Sequence, residues 1–198
     1  MPSFALGDTA ESWPVTSRAD LHRDDWVVAL RADTVTMPHG GDAFRRLVLE
    51  HPGAAMVMAV DDDERVHVQT QYRHPVQLRL VELPAGLCDV PGEDPLEVAR
   101  RELLEEAALE ATDWTLLLST WSSPGLSNER TYIYLARGLA AGDRGDFELE
   151  HEEASLASHW VPYDDLLAAV LDGRVSDAPV VQAVLAYAAR RDELRSQS

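Results

Sequence analysis

The chain has 198 residues, 45% of them hydrophobic and 26% charged, which is ordinary for one globular domain and excludes a disordered or fibrous protein. Its formal net charge of -18 would repel a phosphate backbone, so nucleic acids and anionic membrane surfaces are poor candidate partners. An anionic small substrate would therefore need metal ions in order to bind.

The chain has one cysteine, Cys88, which excludes an internal disulfide and a cysteine-built zinc site and suits a reducing compartment. The N-terminal stretch has no basic residue before Arg18 and no long apolar run, so it does not resemble a signal peptide. No segment approaches the roughly 20 apolar residues of a membrane span. We therefore expect a cytoplasmic protein.

Residues 1–22 are mixed and polar, and we expect them to form an N-terminal arm or a peripheral strand before a domain at 23–198. Short alternating or β-branched segments bounded by turn residues predict strands. The predicted strands are 26–36, 54–60, 65–71, 78–83, 115–120, 131–136 and 158–161. The first of them should lead into a hairpin through the turn MPHGGD.

A helix is predicted directly after Asp94, whose side chain can cap the first turn. Pro95 suits the first helical position, and Glu97, three residues after the cap, could close a capping box. Apolar residues then recur at helical spacing, which predicts a helix packed on a sheet; they are Leu96, Ala99, Leu103 and Ala107.

Two further helices are predicted, one opened by Pro162 and ended by Gly173 and one from about Pro179 to Leu194. Strands and helices are mostly segregated along the chain and do not alternate strictly. This pattern predicts an α/β (α+β) fold in which helices sandwich a mixed β-sheet.

The first helix carries three crowded carboxylates, Glu102, Glu105 and Glu106, which should project from one side. Like charges at this spacing repel by a few tenths of a kcal/mol per pair, whereas Mg²⁺ binds one or two carboxylates together with substrate phosphates and waters. The preceding loop, 84–92, contains glycines that let backbone carbonyls approach the same place. The alternative for such a helix face is a solvated surface.

A wider pattern favours the metal site. It resembles the signature of the Nudix hydrolases, in which a glycine and a glutamate precede R-E-U-x-E-E-x-G-U, where U is aliphatic. The matching residues are Gly86, Glu93, Arg101, Glu102, Leu103, Glu105, Glu106 and Leu109. Two positions depart from the signature: the gap between Gly86 and Glu93 is one residue longer than usual, and Ala108 replaces a glycine. If Ala108 must adopt a left-handed backbone, it costs on the order of 1 kcal/mol.

The resemblance implies a Nudix-type α/β/α sandwich with a mixed β-sheet that hydrolyses a nucleoside diphosphate derivative with Mg²⁺ or Mn²⁺. It also assigns roles to the signature residues. The implied metal ligands are Glu102, Glu106, the Ala85 carbonyl and Glu105, the last as a direct ligand or a partner through water. Arg101 would hold the helix carboxylates in place, and Glu93 would support the loop.

Segments outside the signature resemble the ADP-ribose pyrophosphatase subgroup, and the similarity runs over about 26–189. They are the S-P-G of 123–125, QYRHPV at 71–76, VELPAG at 81–86 and DGRVSDAPVV at 172–181. Pro124 lies fifteen residues past Leu109, where the subgroup has a proline. A simple turn between strands is the alternative explanation of Pro124 and Gly125.

In this subgroup the general base lies in a later loop rich in glutamate, here FELEHEEASLASHW at 147–160. Glu153 is our first candidate and Glu152 the second; a solvated acidic loop is the alternative. The candidate substrate contacts are Arg73, Glu82, Pro124, Gly125 and Glu129. Arg73 could pair bidentately with a phosphate, or form a surface ion pair.

The resemblance implies hydrolysis of ADP-ribose to AMP and ribose 5-phosphate by a homodimer that acts on a small-molecule nucleotide sugar. One alternative is a pyrophosphatase for another nucleotide sugar, such as GDP-mannose. The other is a non-catalytic ADP-ribose sensor. Such sensors commonly lose the signature glutamates and often carry a DNA-binding domain, whereas this chain keeps the glutamates and has neither the length nor the basic charge for that domain.

Overall fold

The computed structural model describes residues 6–145 and 156–195. The strands in this part are β1 Val15–His22, β2 Ala29–Val35, β3 Phe44–Glu50, β4 Ala54–Ala59, β5 Arg65–Arg73, β6 Leu78–Glu82, β7 Ala85–Leu87, β8 Leu109–Trp121, β9 Arg130–Ala141 and β10 Ala157–Pro162. The helices are α1 Pro95–Ala107, α2 Tyr163–Leu171 and α3 Ala178–Arg195. None of these helices is long and apolar enough to cross a membrane.

The chain divides into two compact units, the first formed by the residues up to His51 together with Ser123–Asn128. This unit contains an antiparallel sheet of order β1-β2-β3. The predicted strand at 26–36 is confirmed as β2, and β3 closes the predicted hairpin, although the sequence patterns had not placed β3. The division at residue 22 stays a prediction, and β1 forms the second part of the proposed arm.

The second unit, Pro52–Ser122 and the residues from Glu129 onward, contains two sheets, of order β7-β4-β9-β8 and β10-β5-β6. Strands β4 and β9 are parallel and the other pairs are antiparallel, so the larger sheet is mixed as predicted. All six residues of β4 are buried, which explains why this strand is apolar throughout and does not alternate with polar residues.

Successive side chains of β4 enter two different hydrophobic clusters, because neighbouring residues of a strand point to opposite faces. Ala55 and Val57 pack with Val98, Ala99 and Leu103 of α1. On the other face, Met56 and Met58 join a cluster that contains residues of β5, α2 and α3, including Val66, Tyr163 and Tyr187. The larger sheet is therefore covered on both faces.

Helix α1 begins as predicted. Asp94 is the N-cap, and its Oδ1 accepts a hydrogen bond from the Leu96 N–H at 2.9 Å. The predicted capping box is wrong, because the Glu97 carboxylate accepts from Arg100 at 2.7 Å, one turn along the helix. The predicted apolar stripe packs on the sheet as expected.

The remaining predicted elements are confirmed with different bounds. The two later helices and the strands at 54–60, 65–71, 78–83 and 158–161 end within two residues of their predicted limits. Strands β8 and β9 extend well beyond 115–120 and 131–136 because the end of β9 pairs with the start of β8, as Ala140 does with Glu110. The three-residue β7 was not predicted, since it contains a glycine and is held by its pairing with β4.

Ala108, at the end of α1, adopts the left-handed conformation that the sequence raised as a possibility, with φ 51° and ψ 42°. We expect Ala108→Gly to raise the free energy of unfolding by about 1 kcal/mol, because glycine adopts this conformation without strain. Chemical denaturation would measure the change.

Ala188 supplies a matched control, because it is an exposed alanine in the interior of the right-handed helix α3. Ala188→Gly should lower the free energy of unfolding by about 1 kcal/mol. Equal losses in both variants would contradict the assignment of strain to Ala108.

Candidate active site

The carboxylates of α1 are not a solvated helix face. Glu102 and Glu106 are each only 8% exposed. The Oε2 atom of Glu106 accepts hydrogen bonds from the backbone N–H of Ala85 at 3.0 Å and from Nε2 of Gln69 at 2.8 Å. One carboxylate oxygen thus connects α1 to β7 and β5, and the alternative of a solvated surface fails for these two residues.

Glu102 lies directly against the backbone of β7 at Gly86. A Cβ atom on Gly86 would lie 1.9 Å from Oε1 of Glu102 and 2.1 Å from its Cδ. A side chain at this position would displace the Glu102 carboxylate, so glycine is needed for Glu102 to keep this position.

Arg101 offsets the charge of this cluster. Its Nη1 lies 2.7 Å from Oε1 of Glu102 and 3.3 Å from Oε2 of Glu105, and its Nη2 lies 3.9 Å from Oε2 of Glu93. Partial burial lowers the pKa of the guanidinium, but Glu102, Glu105 and Glu93 raise it by more. Arg101 therefore remains charged and reduces the mutual repulsion of the glutamates.

The arrangement fits a hard divalent cation that is completed by substrate. Within residues 6–145 and 156–195, no three His, Cys, Asp or Glu side chains form a ready-made metal cage. Mg²⁺ usually takes only one or two carboxylates, with waters and substrate phosphates as the other ligands. Glu102 and Glu106 would supply those two carboxylates, and Glu105 would be a further ligand or a partner through water.

A cavity of about 290 Å³ adjoins these carboxylates. Ala85 lines it, and the N–H of the same residue donates to Glu106. Three of the predicted substrate contacts, Arg73, Glu82 and Glu129, also line the cavity. The structure therefore brings these side chains together around one cavity, which Ala85 connects to Glu106.

Arg73 and Glu82 form a bidentate pair in the cavity wall. Nε of Arg73 lies 2.8 Å from Oε1 of Glu82, and Nη2 lies 2.7 Å from Oε2. The hydrogen bonds that Arg73 donates to Glu82 are the main reason that the pKa of Arg73 is raised, and they outweigh its burial. Arg73 is therefore not a simple surface ion pair, since its partner is buried and the pair faces the cavity.

Sequence reasoning missed Asp177 as a site residue, although it lies in the DGRVSDAPVV segment. Asp177 lines the cavity and its Oδ2 accepts from the Val180 N–H at 3.2 Å, at the start of α3. Burial raises its pKa to about 6; Glu82 also raises it, while the Val180 N–H and Arg73 lower it. The only signal in the sequence was an aspartate before Ala-Pro, which is a capping pattern.

The remaining predicted site residues lie elsewhere. Pro124 and Gly125 form a turn in the first unit, where the Ser123 carbonyl accepts from the N–H groups of Leu126 and Ser127 at 2.9 and 2.8 Å. The turn that the sequence suggested as the alternative is thus present, and a role in substrate binding stays a prediction. Glu152 and Glu153 lie outside the described residues.

Comparisons with known proteins show what the chain is similar to. The NUDIX domain model matches residues 49–184. An ADP-ribose pyrophosphatase of Mycobacterium tuberculosis is 42% identical over 81% of this chain and 76% of its own length. A methanol dehydrogenase activator of Bacillus methanolicus is 35% identical over 80% of this chain and 83% of its own. The crystal structure of an ADP compounds hydrolase has a TM-score of 0.73 at 21% identity and covers 97% of this chain and 99% of that one.

The chain belongs to the Nudix family, and it is a Nudix hydrolase. The predicted α+β sandwich is confirmed by the structural comparison. Membership implies dependence on a divalent metal.

Asp177 makes the free energy of unfolding depend on pH. Its pKa is about 6 in the folded protein against an ordinary value of 3.8, so the folded state binds this proton more tightly than the unfolded state. The resulting stabilisation is complete below the ordinary value and is lost as pH rises through 6. We expect Asp177→Asn to raise the free energy of unfolding at pH 8 by on the order of 1 kcal/mol, after allowance for solvent screening, because asparagine caps a helix equally well without the charge.

Denaturation curves from pH 4 to 8 would measure this effect, and the variant should lose the decline between 4 and 6. Asp62→Asn is the control, since Asp62 is an exposed turn residue and the change removes the same charge. An equal gain from both substitutions at pH 8 would mean that net charge, not the cavity, is responsible.

Proposed function

We propose that this protein hydrolyses the diphosphate of ADP-ribose to AMP and ribose 5-phosphate, with Mg²⁺ or Mn²⁺ as the cofactor. The observation that carries the proposal is the position of Ala85, which faces the cavity and also donates its N–H to Glu106. A diphosphate at the glutamates would thus have one of its two attached groups beside a cavity. The similarity to an ADP-ribose pyrophosphatase over most of the chain supports this substrate.

The size of the cavity supports binding of part of the substrate there. About 290 Å³ is at the lower limit of ligand pockets, so it suits one nucleoside or sugar better than a whole nucleotide sugar. Glu82, Glu129 and Asp177 line the cavity, and carboxylates accept hydrogen bonds from hydroxyl groups. We therefore propose that a hydroxyl-rich part of ADP-ribose enters the cavity and that its phosphates lie at α1.

The proposed metal ligands, Arg101 and the candidate general base each have a physical role in the proposed reaction. A bound divalent cation would neutralise the diphosphate and lower the pKa of the attacking water. Glu102 and Glu106, with Glu105 and the Ala85 carbonyl, would hold that ion, while Arg101 fixes Glu102 and Glu105 by ion pairs. Glu153, or otherwise Glu152, would accept a proton from the water as general base.

The buried carboxylates favour an enzyme over a non-catalytic sensor. Holding Glu102 and Glu106 at 8% exposure costs desolvation energy that a partner charge must offset. A protein that only binds ADP-ribose would gain little from keeping all three glutamates together. A pyrophosphatase for another nucleotide sugar, such as GDP-mannose, would use the same glutamates. It would differ from an ADP-ribose pyrophosphatase only in the group that its cavity binds.

We also propose a cytoplasmic homodimer whose partner is a small nucleotide sugar and neither nucleic acid nor membrane. The net charge of -18 and the single cysteine support the choice of partner and compartment. The dimer is implied by the resemblance to the ADP-ribose pyrophosphatase subgroup. Light scattering of the purified protein would determine its oligomeric state.

A turnover panel tests the substrate. With Mg²⁺, ADP-ribose should give the highest kcat/KM among ADP-ribose, GDP-mannose, a diadenosine polyphosphate, reduced nicotinamide dinucleotide and dGTP, because analogues that leave the polar side chains of the cavity unpaired are penalised. Chromatography should identify AMP and ribose 5-phosphate. Glu106→Gln keeps the size of the side chain but removes the charge, and should lower turnover at least about a hundredfold.

The panel separates the alternatives. A preference for GDP-mannose would support a pyrophosphatase but reject ADP-ribose as its substrate. Binding of ADP-ribose without turnover would support the hypothesis of a non-catalytic sensor. Near-normal turnover by Glu106→Gln at low Mg²⁺ would reject the metal site.

The choice of base is tested by paired substitutions. Glu153→Gln should lower kcat by roughly 10² to 10⁴ and change the affinity for Mn²⁺ little, because the general base transfers a proton and is not a metal ligand. Glu152→Gln is the neighbouring control and should have a small effect. A reversed result would assign the base to Glu152, and two small effects would leave the loop without a catalytic role.

A further inference from the structure

Gln69 is a buried polar residue that the signature does not include. It lies in β5, the central strand of its sheet, between Glu82 of β6 and Ser158 of β10. Its side chain is 2% exposed, and its Nε2 donates to Oε2 of Glu106 at 2.8 Å. The amide therefore reaches the carboxylate cluster from the sheet side.

The identity of the amide atoms follows from chemistry. An ionised carboxylate only accepts hydrogen bonds, so the atom next to Glu106 must be the nitrogen of Gln69, and the oxygen points elsewhere. That oxygen, Oε1, is buried and has no hydrogen-bond partner among the residues that the structure describes. Leaving such an acceptor unsatisfied costs about 1–3 kcal/mol, whereas an aliphatic side chain would cost nothing of this kind.

A buried acceptor of this kind can be satisfied by a donor from outside the protein, such as a water or a ligand. Waters in the hydration shell of a divalent cation are donors, and Mg²⁺ usually keeps several of them when it binds to protein carboxylates. Gln69 is hydrogen-bonded to Glu106, a proposed ligand of that cation, so a water on the bound cation would come close to the same side chain.

We propose that Gln69 is a positioning residue for the metal site: Nε2 fixes the Glu106 carboxylate, and Oε1 accepts a hydrogen bond from a water on the bound cation. The inference rests on the proposed function in one respect, that Glu106 is a metal ligand. Together with the Ala85 N–H, Gln69 places two donors on Oε2 of Glu106. The two donors come from different strands, so they fix the rotation of the carboxylate and prepare it for the ion.

The test is the affinity for Mn²⁺ alone, measured by electron paramagnetic resonance on the full chain without nucleotide. Gln69→Met keeps a similar volume but removes both hydrogen-bonding atoms. Groups that orient metal ligands typically contribute ten- to a hundredfold to metal affinity, so we expect the Kd for Mn²⁺ to rise at least about tenfold. The thermal midpoint in the absence of metal reports separately whether the fold survives.

Gln71→Met is the matched control. Gln71 is also a buried glutamine of β5, 5% exposed and two residues further along the same face, and no hydrogen bond joins it to Glu106 among the described residues. The Kd of the Gln71→Met variant for Mn²⁺ should stay within about twofold of that of the unmodified protein. A similar rise in both variants would mean that any lost buried amide weakens the site, and it would overturn the proposal.

Two more variants complete the test. If Gln69→Met does not fold, Gln69→Asn retains a buried amide but shortens its reach, and it should also weaken Mn²⁺ binding; an unchanged Kd in Gln69→Asn, or in a folded Gln69→Met, overturns the inference. Glu106→Gln separates the two proposals. If it leaves the Kd unchanged, Glu106 is not a ligand and the proposed metal site fails, whereas a raised Kd in Glu106→Gln with no effect at Gln69 rejects only the positioning role.

Discussion

The site depends on one buried carboxylate oxygen, Oε2 of Glu106. It accepts hydrogen bonds from β7 through Ala85 and from β5 through Gln69, so a single atom fixes the position of α1 relative to two strands of different sheets. Because this carboxylate is almost fully buried, its negative charge must be stabilised by aligned donors. The same donors orient the carboxylate. The two hydrogen bonds therefore both stabilise the buried charge of Glu106 and fix the position of its oxygens.

The hydrophobic core explains why these donors are in the right place. Strand β4 is buried on both faces, with α1 on one side and β5, α2 and α3 on the other. It also pairs with β7, which carries Ala85 and Gly86. A shift of α1 along the sheet would disturb the packing of Val98, Ala99 and Leu103 and would also separate Glu106 from Ala85, so the position of the glutamates on α1 is coupled to the packing of the core.

The sequence predicted those features that are local. Asp94, Pro95 and the helical spacing of α1 act within a few residues, so they located the helix. The capping box failed because Glu97 has a competing partner, Arg100, one turn away. Gln69 and Asp177 could not be found in this way, because Gln69 is far from Glu106 in the chain and Asp177 is far from Arg73. Only the folded sheet and the start of α3 bring these residues to the site.

The chain departs from the family signature at Ala108 and in the loop between Gly86 and Glu93, and it keeps the signature glycine at Gly86. The surroundings of these positions explain the difference. A side chain at Gly86 would collide with Glu102, so any replacement there would displace a proposed ligand. Ala108 is strained only in its own backbone, at φ 51°, and its N–H still donates to the Leu104 carbonyl at 3.0 Å. The extra residue between Gly86 and Glu93 falls in a loop where Asp89, Val90, Pro91 and Gly92 are exposed, and a Cβ on Gly92 would have nothing within 4 Å. Both departures therefore cost local energy without moving a carboxylate, which is why a chain that breaks the signature at two places keeps its glutamates in register.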